Sequence, residues 1–232
     1  MRVAAIFVLL LLPFAGSAGE QSSMRFDVRL LGLRAGVIEI GANVTNGGYA
    51  ARSHFKTAGL VGVLRRLRAN VTVQGMVAGG DLRPHDYTEA IDDGRRVTDV
   101  HVRFAPGQPR LVAGDTGSSA PPADTSGLRN AIDPLTLLYI ALRDQPRDEV
   151  CRFKADVFDG HRHAVITLDR RRAEGDAIVC DGAYRRVAGY SEIERRSSDV
   201  DISVTYVPAG NTMRAERVAF DTRLGPAVME RR

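Results

Sequence analysis

The chain has 232 residues, 44% of them hydrophobic and 26% charged, with a formal net charge of +4. That length supports one sizeable hydrophobic core or two small ones. Of the 32 basic residues only Lys56 and Lys154 are lysine, and 28 acidic residues are interspersed, so the arginine bias reads as the composition of a GC-rich genome rather than as a phosphate-binding surface.

The chain opens with Arg2, an apolar run from Val3 to Phe14 broken only by Pro13, and the small residues Gly16-Ser17-Ala18. That three-part order is a secretory signal, and its apolar core is too short to stay in a bilayer as an anchor. Removal after Ala18 leaves a single domain over residues 19–232 without a membrane span and lowers the net charge by one. No Cys follows the small residues, so no lipid anchor is expected. The expected compartment is the periplasm, where nucleic acid is not a partner.

From residue 24 onward apolar residues recur at every second position. Met24, Phe26, Val28 and Leu30 alternate with Arg25, Asp27 and Arg29, and Val71 and Val73 with Asn70, Thr72 and Gln74. Val100, Val102 and Phe104 alternate with Asp99, His101 and Arg103, and Val200, Ile202, Val204 and Tyr206 with Asp199, Asp201, Ser203 and Thr205. Each run is a strand with one buried and one wet face, the antiparallel pattern. Asn46-Gly47, Asp93-Gly94 and Asp159-Gly160 tolerate the positive φ of tight hairpins, and Gly79-Gly80 and Ala209-Gly210-Asn211 make looser connections. About twelve strands result, too many to remain flat.

Two segments depart from this period. Leu60, Val61, Val63, Leu64 and Leu67 fall at helical spacing. Asp133-Pro134 opens a second helix, with Asp as N-cap and Pro at the first helical position. Its body, Leu135 to Leu142, is apolar almost all round and should be buried. Between the two, residues 114–127 are rich in Gly, Ser, Ala and Pro and read as a mobile loop or a seam between halves. The predicted architecture is a strongly curved antiparallel sheet, an open barrel, with two short helices packed on its concave face.

Cys151 and Cys180 form an even pair, read in an oxidising compartment as a disulfide. If both lie on strands two positions apart, their spacing of roughly 10 Å exceeds the ~7 Å that a bridge allows between Cα atoms. A bridge then requires a strand order other than a plain meander, or strand ends that bend together. A metal or redox pair is the weaker alternative, since there is no C-x-x-C and no His nearby.

Signs of catalysis are sparse. Gly189-Tyr190-Ser191-Glu192-Ile193 lacks the second glycine of a nucleophile elbow. His161 and His163 could face one side of a strand and share an ion with Asp159, but no third distant ligand stands out. Asp92-Asp93 is explained by turn chemistry. Arg65, Arg66 and Arg68 beside Leu64 and Leu67 read either as a basic, apolar lip for anionic lipid or as the positive end of a capped helix. No enzyme activity, cofactor or metal site is predicted.

An ordered series of short motifs runs through the chain. A strand enters Gly32-Leu33-Arg34-Ala35-Gly36, followed by Thr57-Ala58-Gly59-Leu60, Leu82-Arg83-Pro84 with Tyr87, Asp133-Pro134-Leu135, Phe158-Asp159-Gly160 and a late Gly225. Over nearly all of the mature chain this series resembles the exported bacterial group called domain-of-unknown-function family 3108. The resemblance implies an envelope protein with one mostly β domain, similar in outline to the curled-sheet carriers of lipoproteins. The group has no assigned activity, so no catalytic residues carry over.

The expected function is non-enzymatic: an apolar ligand, a lipid or a lipidated partner held between helices and sheet. Leu60, Val63, Leu64, Leu67, Leu135, Leu138, Tyr139 and Leu142 would line or gate that space, unless they form a closed, dry core. The alternatives are an envelope protein–protein scaffold without a ligand, and a metal-dependent enzyme built on His161 and His163.

Overall fold

The computed structural model describes residues 19–64, 66–104, 107–196, 199–222 and 224–232, without the side chains of residues 60, 61 and 64. The expected signal segment, 1–18, lies outside the described residues.

The first half of the chain is a meander of β1 (Glu20–Leu30), β2 (Leu33–Val44), β3 (Gly48–Thr57), β4 (Arg68–Ala78), β5 (Asp81–Asp92), β6 (Val97–Arg103) and β7 (Arg110–Gly114), with α1 (Gly59–Leu64) between β3 and β4. A connection carrying α2 (Pro134–Leu142) leads to the second half, β8 (Phe153–Phe158), β9 (His163–Glu174) and β10 (Ala177–Ala188). The one-turn α3 (Glu192–Arg195) then precedes β11 (Asp199–Ala209), β12 (Thr212–Thr222) and β13 (Gly225–Arg231). The expected alternation is observed: Met24 and Phe26 are buried, while Arg25 on the other face pairs with Glu39.

All thirteen strands form one antiparallel sheet, ordered β7-β6-β5-β4-β3-β2-β1-β13-β12-β11-β10-β9-β8. The two meanders are welded where the ends of the chain meet, with β1 against β13 from Phe26↔Arg231 to Leu30↔Ala227. The free edges are therefore β7 and β8, from the middle of the chain. Twist curls so many strands toward closure, but β7 and β8 do not pair, and the barrel stays open along that seam.

Loop contacts narrow one end of the seam. Gly160, in the turn after β8, has φ +102, and an added Cβ would lie 2.8 Å from Val102 Cγ2 and 3.3 Å from Leu111 Cδ1. The β8–β9 turn thus rests directly on β6 and β7, an approach that only glycine permits. Segment 114–127 and its continuation lie along the same side. Ala123 N–H donates to the His161 carbonyl (2.8 Å), and Ile132 exchanges backbone hydrogen bonds with the edge of β8 through Asp156 and Phe158 (2.9 Å each). Ala123 and Leu128 are buried in the main core, which ties this segment down at two points.

The predicted open, mostly β architecture with short helices is what the chain forms. α2 lies on the concave face, where Leu135, Tyr139 and Leu142 join Phe26, Ile40, Tyr87 and Tyr206 in the main core. α1 is placed otherwise. It packs against β2, with Ala58 N–H bonded to the Ala35 carbonyl, beside Ala35 and Val37, which are buried but outside the main core. Val63 is 84% exposed. Helical spacing of apolar residues foretold a helix there but not the face of the sheet that would receive it.

Candidate functional site

The site is organised by α2, which crosses the bowl and is fastened at both ends. At its start the Asp133 carboxylate accepts from the backbone N–H groups of Leu135 and Thr136 (2.9 Å each), as the sequence predicts for an N-cap. Thr136 Oγ1 donates to the second carboxylate oxygen (2.5 Å), and the Tyr49 hydroxyl of β3 lies 2.7 Å from Thr136 Oγ1. With Asp133 ionised the Thr136 proton is committed to it, so Tyr49 must donate to Thr136. Burial pushes the Asp133 carboxyl up to about 6, against its usual 3.8, with the hydrogen bonds opposing the shift.

At the other end the Tyr206 hydroxyl donates to the Ala141 carbonyl (2.6 Å), and burial pushes this phenol up to about 12. Gln145 exchanges backbone hydrogen bonds with Met213 of β12 (2.7 and 3.0 Å). Arg231 of the last strand reaches Asp144 at 3.2 Å.

The interface between α2 and the sheet is filled. Leu135, Tyr139 and Leu142 are almost fully buried in it, and Leu138 is half-buried against it. Leu67 is half-buried ahead of β4, and the side chains of Leu60 and Leu64 lie outside the described residues. None of the residues expected to line a ligand space is among those that line the open cleft of the seam. The space exists elsewhere, because the packed face of α2 is the one that holds the helix in place.

It lies at the wide end of the seam, a half-open cleft of about 1150 Å³. One wall is the β4–β5 hairpin around Met76 and Leu82, and the other is the start of β8 at Phe153. Ile140 and Ala141 on α2, with Tyr206 behind them, form the floor. Its volume is slightly above the roughly 300–1,000 Å³ of ordinary ligand sites.

The rim is cationic. Arg129, Arg143, Arg152 and Lys154 line the cleft without an ion pair among the described residues, whereas Arg83 is paired with Asp81 and Asp156 with His163. Among carboxylates lining the cleft only Glu149 lacks a partner among the described residues. Arg143 is the C-cap of α2 and half-buried, and its Nε is buried without a hydrogen-bond partner. Sequence reasoning missed this residue; its only signal was a cation ending an otherwise apolar helix.

Cys151, which also lines the cleft, is bonded to Cys180 with a Cα–Cα distance of 5.0 Å. The conflict with strand spacing disappears because Cys151 is not on a strand. It occupies the turn before β8 with φ +65, which aims its sulfur across to β10.

The two histidines singled out in the sequence part company. His163 begins β9 and bonds Asp156 through Nε2 (2.7 Å), while His161 sits in the preceding turn, nearly buried, with Nε2 unpartnered. Among the described residues no three His, Cys, Asp or Glu side chains are grouped to hold a metal ion. Across the bowl Tyr87 donates to Glu89 (2.7 Å), whose carboxyl is raised chiefly by burial. Of the basic residues near α1, Arg66 pairs with Asp92, Arg68 begins β4, and Arg65 lies outside the described residues.

No helix among the described residues is long and apolar enough to cross a membrane, which says nothing of crossing by strands. No curated protein matches the sequence. A β-barrel-like protein from Brucella abortus, of the domain of unknown function DUF1849, is similar in structure with a TM-score of 0.51 at 10% identity, over 94% of this chain and 97% of that one. At that identity the likeness concerns the fold alone. The family described as "Protein of unknown function (DUF3108)" matches residues 25–230, nearly the whole described sheet from β1 to β13, and the chain belongs to it.

Proposed function

We propose that this protein is an exported, non-enzymatic component of the cell envelope that holds an apolar ligand, a lipid or the lipid of a lipidated partner, in the seam cleft. The observation that carries this reading is the floor of the cleft. Ile140, Ala141 and Phe153 face a space of about 1150 Å³ that the sheet leaves open. Apolar surface held in water is unfavourable by roughly 25 cal/mol per Å², so covering it with a chain is a source of affinity. The helix-to-sheet contacts keep the floor in place without occupying it.

The test is native mass spectrometry of protein recovered from the periplasmic fraction without detergent. The expected result is a lipid-sized adduct that disappears on solvent extraction and returns when lipid is added. Apo protein alone, both as recovered and after adding lipid, would remove the reading, and recovery only from the cytosol would remove the export.

A second reading rests on β7. It is the edge strand of the first meander, all five of its residues are exposed, and Leu111 and Val112 are among them. Such an edge can accept a partner's strand. A photo-crosslinker at Val112 that captures one envelope protein in intact cells would favour this scaffold role, and the absence of any crosslink would end it.

A further inference from the structure

We infer that the ligand of the seam cleft is an anionic amphiphile, with its chain on the Ile140–Phe153 floor and its phosphate or carboxylate head on Arg143 and Arg152. The inference rests on the apolar-ligand reading and deepens it. Three features of the cleft converge.

The first is the imbalance of unpaired charge. Arg129, Arg143, Arg152 and Lys154 have no carboxylate partner among the described residues, and Glu149 is the one unpaired acidic group that lines the cleft with them. On the β1–β13–β12 wall, by contrast, Arg25, Arg29, Arg217 and Arg232 all meet carboxylates within 3.1 Å. A cleft walled by low-dielectric side chains and lined by one sign of charge concentrates ligands of the opposite sign.

The second is the state of Arg143. Its Nε is buried without a hydrogen-bond partner among the described residues, whereas its terminal N–H groups are not buried and have no partner there, so they can meet an acceptor in the cleft. The guanidinium is rigid and forked, and it fits a phosphate or carboxylate with two parallel hydrogen bonds.

The third is adjacency. Arg143 follows Ile140 and Ala141 at the end of α2, and Arg152 precedes Phe153, so each cation stands next to apolar side chains that line the cleft. A free anion would leave the apolar side chains exposed, and a neutral chain would leave the rim cations without a counter-charge. A membrane lipid with an acidic head satisfies both.

The test is displacement of a neutral fluorescent dye, N-phenyl-1-naphthylamine, from the full mature protein. The competitors are lysophosphatidylglycerol, uncharged monopalmitoylglycerol and inorganic phosphate. The acidic lipid is expected to compete about tenfold better than the uncharged one, a difference of about 1.4 kcal/mol. The Arg143→Gln/Arg152→Gln variant should reduce that advantage to about twofold or less. Its unchanged affinity for monopalmitoylglycerol would show that the variant is folded.

Equal competition by the acidic and uncharged lipids in the parent protein would overturn the head-group assignment and leave the apolar-ligand reading standing. No competition by either lipid would bring down both. Calorimetric binding of inorganic phosphate as tight as that of the acidic lipid would overturn the lipid source in favour of a free-anion site.

Discussion

The sheet has two junctions between its halves, and they are finished differently. Where β1 meets β13, the backbones pair through five consecutive residue partners, and the outer face is laced with ion pairs. Arg29 and Arg217 share Glu230, and Arg232 and Arg34 share Asp27. Where β7 faces β8 there is no strand pairing. A turn glycine, the Ile132 bridge and a run of buried alanine and leucine cover part of the gap, and the rest is an open cleft with unpaired cations. Donors and apolar surface that are satisfied internally at the first junction have no internal partner among the described residues at the second. Binding sites are found where a rigid scaffold leaves groups unmet, and the seam is such a place.

This contrast can be broken most forcefully at the disulfide. Replacing Cys151 and Cys180 together with Ala, or reducing the bond, should cost about 3–4 kcal/mol for a bridge spanning 29 residues. Urea unfolding with and without reductant measures it. Hydrogen exchange should quicken first in β8–β10 and the cleft wall; equal quickening at β1 and β13 would mean the two junctions are not independent.

The next effect comes from Asp133, which fixes the start of the seam-spanning helix. Its carboxyl titrates near 6 in the fold and near 3.8 in the unfolded chain. The unfolded chain therefore gives up its proton first as pH rises. The stabilising contribution of the protonated group is complete below about pH 4 and is lost as pH climbs through 6. A shift of this size corresponds to about 3 kcal/mol. Asp133→Asn keeps an acceptor for the Leu135 and Thr136 N–H groups and should abolish that slope. Unfolding midpoints of parent and variant at pH 4.5 and 7 should diverge, and parallel curves would refute the assignment.

Gly160→Ala is the next smaller perturbation. The new methyl would press on Val102 at a φ of +102, where side chains are strained, and about 1–3 kcal/mol should be lost. The prediction is a widened seam, seen as faster exchange in β6 and β7 with β1–β13 unchanged. A fully stable variant would show that the turn is not what holds the narrow end together.

The smallest effect sharpens the contrast in charge. Glu230→Gln removes the shared partner of Arg29 and Arg217 and should cost up to about 1 kcal/mol, less at high salt. Arg129→Gln at the cleft rim has no ion pair to lose and should leave stability within about 0.5 kcal/mol. Thermal unfolding at two salt concentrations distinguishes them. A larger loss at Arg129 would mean that the rim is part of the scaffold.

Much of this architecture was legible before any coordinates. Alternation in β1, β4, β6 and β11, the Asp-Gly turns and the Asp133-Pro134 helix start depend on residues within a few positions of one another, so local pattern reports them. The cysteine bridge was also legible as a pair. Its geometry looked unfavourable only because Cys151 was placed on a strand, and a left-handed turn residue leaves no periodic mark in a sequence. α1 was foreseen as a helix, but the choice between the two faces of β2 depends on distant strands. The cleft left no local mark for the same reason: its walls are brought together by strands distant in sequence, and of the residues expected to line a ligand space Leu135, Tyr139 and Leu142 are packed between α2 and the sheet.

What the amino-acid order determined by itself was a run of two-faced strands, their hairpins and a buried helix, because period, turn chemistry and capping act over a few residues. Tertiary structure decided which strands became edges. Pairing of the first strand with the last, about two hundred residues apart, turned the middle of the chain into the rim of the sheet. Backbone hydrogen bonds do not depend on side-chain identity, so no local signal marks where a sheet stops, and the opening it leaves is visible only in the folded chain.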